Sequence, residues 1–123
     1  MTLTQIKNTV MFQTGNDAED VGEFLPFLTD YINEGYDVLY HYINGVHLGD
    51  DGADQKLSDG GDEPALAAWL QPALADYATW MVYRNGNLAK QNRGMIYRQS
   101  FEDYKNKIHA LNGQRQFYNL YNH

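Results

Sequence analysis

The residues whose types could support chemistry cluster in one Gly/Asp-rich segment, residues 44–62, which reads NGVHLGDDGADQKLSDGGD. Its carboxylates first suggest calcium, because an EF-hand loop takes oxygen ligands at its positions 1, 3 and 5, glycine at 6 and glutamate at 12. A loop that starts at Asp50 has Gly52 at position 3, and one that starts at Asp51 has Ala53 there. Neither register supplies the ligands, so we expect a solvated acidic loop without a resident metal.

The histidine spacing and the lack of cysteine exclude several kinds of catalytic and metal site. The chain has no cysteine, which excludes thiol nucleophiles and thiolate zinc sites. Its four histidines form no HxxxH or HExxH pair, and the sequence contains no GxSxG, P-loop or GxGxxG motif. We therefore predict a non-enzymatic protein with no catalytic residue and no cofactor. The alternative is a small enzyme whose polar groups converge from distant parts of the chain in a deep pocket.

Charge is divided unevenly along the chain. Between Asp17 and Glu63 there are 13 acidic residues and one base, a net charge of −12, whereas the stretch from Arg84 to Arg115 carries +5. An overall charge of −7 argues against a protein that coats nucleic acid. Two explanations stay open: identical copies pack acidic face to basic face, or the fold neutralises itself internally. In the first case, the candidate interface cations are Arg84, Arg93 and Arg98.

The first half of the chain predicts two helices that precede the acidic segment. Residues 3–13 form a short helix capped by Thr2 or Thr4, with Gly15 in the stop signal that follows it. A longer helix follows, in which apolar residues recur at three- and four-residue steps up to Ile43. Pro26 lies within that pattern and removes a backbone hydrogen-bond donor, so we expect a bend there.

The second half predicts a flexible loop and two more helices. Residues 45–62 contain five glycines and form the loop. Asp62 should cap the third helix, and Pro72 could divide that helix into a short turn and a longer segment. The fourth helix should end at Asn112 and Gly113.

The predicted fold class is all-α: a small antiparallel bundle of about four helices with a long acidic Gly-rich loop and an extended C-terminal tail. Residues 1–113 form a single helical domain, and residues 114–123 form a tail or arm. The start of the chain has no signal-peptide pattern, and no apolar run is long enough to span a membrane. The tail docks on its own domain or binds a neighbouring molecule through Phe117, Tyr118, Leu120 and Tyr121.

Three segments carry a resemblance to a known family. They are YINEGYDVL in the long helix, PALADYATWMVYRNGN after the loop, and RQSFEDYKNKI in the last helix. Together they resemble the small helical head–tail connector proteins, also called portal adaptor or neck proteins, of tailed bacteriophages. The matching positions are Asn33 to Tyr36, Ala73 to Arg84, and Phe101 with Tyr104. The resemblance covers residues 3–111.

The resemblance implies a structural virion protein. About twelve copies would form a ring beneath the portal, which extends the DNA channel and joins head to tail. The implied partners are other copies, the portal protein, and tail or head-completion proteins, with DNA passing through without specific binding and no membrane involved. The protein would occupy the virion neck, and the host cytoplasm during assembly. We expect the acidic loop to face the channel through Asp50, Asp51, Asp54 and Asp59.

Two other interpretations use the same residues. The acidic first half also suits a small regulatory or inhibitor protein that binds a basic partner, as a DNA mimic does. A tail-side or head-completion protein of the same class of virion is the second. Both are non-enzymatic, and they differ from the connector in their partners.

Overall fold

The computed structural model describes residues 1–15 and 22–121, with the side-chain surroundings of residues 1–15 and 22–111. Within that part, the structure is helical and has no strand, which confirms the predicted all-α class. Two short 3-10 turns lie between the helices, at Leu25–Phe27 and Ala68–Leu70. The four main helices are α1 (Leu3–Gln13), α2 (Leu28–Asn44), α3 (Pro72–Arg84) and α4 (Leu88–Tyr121).

Helix α1 begins and ends where the sequence predicts. The Thr2 hydroxyl accepts a hydrogen bond from the Gln5 amide, and the Gln5 side chain accepts one from the Thr2 amide, which forms a capping box. Gly15 follows the helix with φ of +75°, a conformation that favours glycine. The helix buries its single apolar stripe completely, through Leu3, Ile6 and Val10.

Pro26 interrupts the long helical pattern as expected. The backbone around it forms the Leu25–Phe27 3-10 turn, and regular α-helical geometry resumes at Leu28. Helix α2 then ends at Gly45, which has φ of +76° and donates its amide to the His41 carbonyl at 2.8 Å. The predicted bend is therefore a short break in the helix, because proline cannot donate to the preceding turn.

The predicted start of the third helix at Asp62 is wrong. Helix α3 begins ten residues later, at Pro72, after the second 3-10 turn. The Asp62 carboxylate turns backwards and accepts hydrogen bonds from the amides of Ser58 and Asp59, both at 2.9 Å. These bonds hold the pKa of Asp62 below its usual range. The Asp62 side chain therefore closes a turn and does not cap a helix.

Helix α4 is longer than predicted, and its expected end at Gly113 is wrong. The Asn87 side chain caps its start by accepting the Lys90 amide at 3.0 Å, and the helix continues to Tyr121. Its 34 residues span about 51 Å. Glycine inside a helix costs only about 1 kcal/mol relative to alanine, so it need not end one. Gly94 lies inside the same helix, where a Cβ would sit 2.8 Å from the Tyr83 Cβ.

Helix α3 is the centre of the structure and contacts the other three helices. Small side chains permit this, because Ala73, Ala75 and Ala78 are all fully buried. Helices α2 and α4 lie on either side of α3. A hydrogen bond of 3.3 Å from Asn85, at the end of α3, to Tyr31, near the start of α2, shows that these two helices run antiparallel. Helix α1 packs against α2 and α3.

Candidate interaction surfaces

Two of the three predicted interface cations lie around one partly buried tryptophan, Trp80. The Arg98 guanidinium of α4 lies 5.4 Å from the centre of the Trp80 ring, and the Tyr77 ring meets Trp80 edge-on at 5.5 Å. Arg84 is one helical turn beyond Trp80 on α3, and its charge acts on Tyr77. We call Tyr77, Trp80, Arg84 and Arg98 the Trp80 face. Arg93 is exposed on α4 and has no contact that assigns it to this group.

Within the described residues, the cations of the Trp80 face are not neutralised by carboxylates of the acidic first half. Arg84, Arg93 and Arg98 form no ion pair with any carboxylate in the described residues. The ion pairs found there are local or terminal and include Lys105 with Glu102, both on α4. Internal neutralisation therefore does not account for these three arginines within the described part of the chain.

The candidate tail residues fall where only the backbone is described. Helix α4 continues through residues 112–121, which adds about 15 Å of helix beyond Leu111. The side chains of Phe117, Tyr118, Leu120 and Tyr121 lie outside the described residues, so their predicted contacts are not tested.

The Gly/Asp-rich loop has an irregular backbone but is hydrogen-bonded to α2 at several points. The Asn33 side chain is paired with both backbone groups of Leu57, at 2.8 Å each. The Tyr40 hydroxyl donates a hydrogen bond to the Asp54 carboxylate and accepts one from the Asp54 backbone N–H, both at 2.9 Å. Leu57 and Leu48 are buried in the main core, so the segment predicted as a flexible loop makes specific contacts with the bundle.

The four candidate channel-facing carboxylates do not share one environment. Asp54 is bonded to Tyr40, and Asp50 accepts the His47 amide at 2.8 Å. Asp51 and Asp59 are exposed, and their carboxylates have no hydrogen-bond partner among the described residues. The first two acids shape the loop, and the last two are available to repel or attract a charged molecule.

A second acidic surface, on α2, was not identified from the sequence. Asp30, Glu34 and Asp37 recur at four- and three-residue steps, on the side of α2 opposite its buried residues. We call these three residues the α2 acidic edge. Asp30 and Glu34 are exposed, and among the described residues the Tyr77 hydroxyl, at 3.5 Å, is the one hydrogen-bond partner of Glu34. The spacing of these acids among the apolar positions could have revealed the edge.

Asp37 differs from its neighbours because it holds the loop. Its carboxylate accepts the Leu48 amide at 2.9 Å and contacts His47 Nδ1 at 3.0 Å. Partial burial raises the pKa of Asp37, but the hydrogen bonds from Leu48 and His47 outweigh it and leave the pKa below its usual range. The His47 ring also stacks on His41, with centroids 4.1 Å apart.

One carboxyl group lies inside the bundle. Asp76 of α3 is only 8% exposed, and it accepts hydrogen bonds from Ser100 Oγ of α4 at 2.7 Å and Gln13 Nε2 of α1 at 3.0 Å. Burial raises the pKa of Asp76 above its usual range, while the bonds from Ser100 and Gln13 act in the opposite direction. Both oxygens are occupied by groups of the protein, so Asp76 joins three helices and is not positioned to receive a substrate.

The grooves in the surface are small. One, of about 220 Å³, lies between Phe27, Tyr31 and the start of α4, and another, of about 210 Å³, lies beside Trp69 and Leu111. Both are below the roughly 300–1,000 Å³ of typical ligand sites. A third groove, of about 330 Å³, is lined by Asp30, Glu34 and Lys56 and is at the lower end of that range. Large apolar side chains are exposed outside these grooves. Phe12 is 81% exposed, Leu88 71% and Ile96 70%. These features suit contacts with proteins better than the enclosure of a small molecule.

Comparison with known protein families, characterised proteins and solved structures finds no match for this chain. In residues 1–15 and 22–121, no three His, Asp or Glu side chains are grouped so that they could hold a metal ion. No helix in the described part of the chain is long and apolar enough to cross a membrane. The function must therefore be argued from the surfaces described above.

Proposed function

We propose that this chain is a structural virion protein, a head–tail connector that forms a ring beneath the portal of a tailed bacteriophage. In this role the ring extends the DNA channel and joins the head to the tail. The chain supplies surfaces for its own copies, for the portal, and for tail or head-completion proteins. It needs no cofactor and no catalytic residue for this task.

The separation of unpaired charges carries the proposal. Arg84 and Arg98 on one surface, and Asp30 and Glu34 on another, have no ion-pair partner in the described residues. In a monomer these charges stay solvated, because pairing exposed charges contributes little stability. Repeated copies can satisfy both surfaces at once, because each copy presents a different patch to each neighbour.

The acidic loop fits the wall of a DNA channel. Asp51 and Asp59 have free carboxylates, and nearby Asp50 and Asp54 add to the negative charge. DNA binds basic surfaces by releasing counterions, and acidic groups oppose that binding. A channel edge lined by these four acids would let DNA pass without adhering. The hydrogen bonds from Asn33 and Tyr40 would keep the loop clear of the passage.

The end of α4 supplies the contact with a neighbour or the portal. The helix continues about 15 Å beyond Leu111, where its packing against Leu70 and Ile43 ends among the described residues. By sequence, the last ten residues include Phe117, Tyr118, Leu120 and Tyr121. Tyrosine and phenylalanine are enriched at protein interfaces, where their rings supply much of the buried area.

Sedimentation of the chain alone and with the portal of the same virus tests this function. The wild type should form a closed ring, or add to the portal in a fixed number of copies. Removal of residues 114–123 should weaken that association while the helical circular dichroism is nearly unchanged. A monomer at every concentration that also ignores the portal would contradict the proposal.

The α2 acidic edge favours a second candidate, an acidic inhibitor that imitates DNA. The two exposed carboxylates on this helix side, Asp30 and Glu34, can replace phosphates on a basic partner. Such a protein would act as a monomer and would bind a DNA-binding protein in a salt-dependent way. The sedimentation experiment separates the two candidates, because only the connector requires association between copies.

A further inference from the structure

The Trp80 face has the composition of an interface whose partner is anionic. Tryptophan, tyrosine and arginine are the residues that dominate the binding energy of protein interfaces. Here the Arg98 guanidinium lies over the Trp80 ring, and both Arg84 and Arg98 are exposed without a carboxylate partner in the described residues. Arginine on an aromatic ring keeps its hydrogen-bond donors available at the edge for a carboxylate.

The α2 acidic edge is the complementary surface on the same chain. Asp30 and Glu34 are one helical turn apart, and both are exposed. Helix α2 lies beside α3, and its carboxylates are on the side opposite its buried residues. Only Glu34 reaches the rim of the Trp80 face, at the Tyr77 hydroxyl. The edge therefore cannot cover the face of its own chain.

We propose that the α2 acidic edge of a second copy docks on the Trp80 face, with Asp30 and Glu34 opposite Arg84 and Arg98. The two surfaces are different, and in the heterologous arrangement that a ring requires, a pair of copies leaves one edge and one face free. Each new copy can then add in the same way until the rotation closes a ring. This inference rests on the proposed connector function and specifies which surfaces meet between neighbours.

Charge reversal on each surface tests the contact in the full-length chain. The variants Asp30→Lys/Glu34→Lys and Arg84→Glu/Arg98→Glu should each weaken self-association by roughly tenfold or more, measured by sedimentation velocity. The chain that carries all four substitutions restores opposite charges across the contact and should recover association. An equimolar mixture of the two double variants should also recover it, because each variant then meets a complementary surface.

Matched control variants change the net charge by the same amount at positions outside the two proposed surfaces. Asp51→Lys/Asp59→Lys in the loop alters the net charge as much as the acidic-edge variant does, and should leave self-association within about twofold of the wild type. Arg93→Glu/Lys107→Glu is the corresponding control for the arginines, because both residues are exposed on α4 and neither contacts Trp80 within the described residues. All eight substituted positions are exposed, so helical circular dichroism should be unchanged. Should a reversed variant lose helix, the neutral pair Asp30→Asn/Glu34→Gln replaces it, and it should weaken association about threefold or more.

The outcomes separate this inference from the connector function. If the wild type associates and the reversed variants associate equally well, the proposed contact is wrong, while the connector function stands. If the four-fold variant and the mixture fail to recover association, the two surfaces do not face each other, and the contact is again wrong. If the wild type never associates, alone or on the portal, both proposals fail. Binding of duplex DNA that depends on Arg84 and Arg98, without any effect on association, would assign the face to nucleic acid instead.

Discussion

Replacement of Asn33 by alanine tests how firmly the acidic loop is fixed to the bundle. The Asn33 Oδ1 atom accepts a hydrogen bond from the Leu57 backbone N–H, and Asn33 Nδ2 donates one to the Leu57 carbonyl, both at 2.8 Å. Asn33 is 7% exposed and Leu57 is 4% exposed, so water cannot easily replace these bonds. The variant removes two hydrogen bonds and leaves a buried N–H and a buried C=O without partners.

The expected loss can be estimated from those two bonds. A hydrogen bond contributes about 1 kcal/mol net, and a buried polar group left without a partner costs about 1–3 kcal/mol. Two such groups are left by Asn33→Ala, which should therefore lower the free energy of unfolding by about 2–6 kcal/mol. A domain of this size has a total stability of roughly 6–18 kcal/mol, so the effect should be plain.

Urea unfolding followed by circular dichroism and tryptophan fluorescence measures this loss. Hydrogen exchange at the Leu57 amide gives an independent result, because that amide should lose its protection. Asn106→Ala, on the exposed side of α4, is the control and should change stability by less than about 0.5 kcal/mol. An Asn33→Ala variant as stable as this control, with Leu57 still protected, would refute the anchored loop.

Two further predictions concern the contacts of the central helix. Gly35→Ala should destabilise the protein by about 1–3 kcal/mol in urea, although alanine favours helix, because its Cβ would lie 2.8 Å from the Tyr77 Cγ. A stabilised variant would show that α2 and α3 are not packed so closely. Asp76→Asn tests the buried carboxyl through a pH series of unfolding free energies. Because burial raises the pKa of Asp76, the folded state binds this proton more tightly than the unfolded chain, so the stability of the wild type relative to the variant should fall as pH rises from 3.8 through the raised value. A difference that does not change with pH would contradict the assignment.

Local signals in the sequence predicted much of the helical order. The Thr2 cap, the stripe that starts at Leu3 and the break at Pro26 each depend on neighbours within about one helical turn. These were predicted correctly because the backbone geometry and its cause lie in the same short segment. Gly45 ended α2 for the same reason, through a left-handed conformation that glycine adopts at little cost.

Contacts between distant segments could not be predicted in this way. Asp62 has the residue type of a helix cap, but the chain after it is held by other parts of the fold, including a hydrogen bond from the Leu3 amide to its carbonyl. The Asn33 anchor and the Asp76 network join residues between 24 and 63 positions apart. Only the packed structure shows which polar groups meet across such separations.

The candidate surfaces were also predictable only in part from the sequence. Charge segregation was evident from composition, and it led to Arg84 and Arg98 as interface residues. The grouping of both around Trp80 required the packing of α3 against α4. The spacing of Asp30 and Glu34 indicates the α2 acidic edge, but only the packed helix shows that both side chains are exposed. The arrangement of the tail side chains is still a prediction.

Electron cryomicroscopy of this chain bound to the portal tests the connector account most directly. The account predicts a closed ring that shares the axis of the portal channel, with residues 50–59 at its opening and the Trp80 face covered by the adjacent subunit. Isolated single copies on the portal surface, or a ring with those acids directed away from the axis, would contradict it.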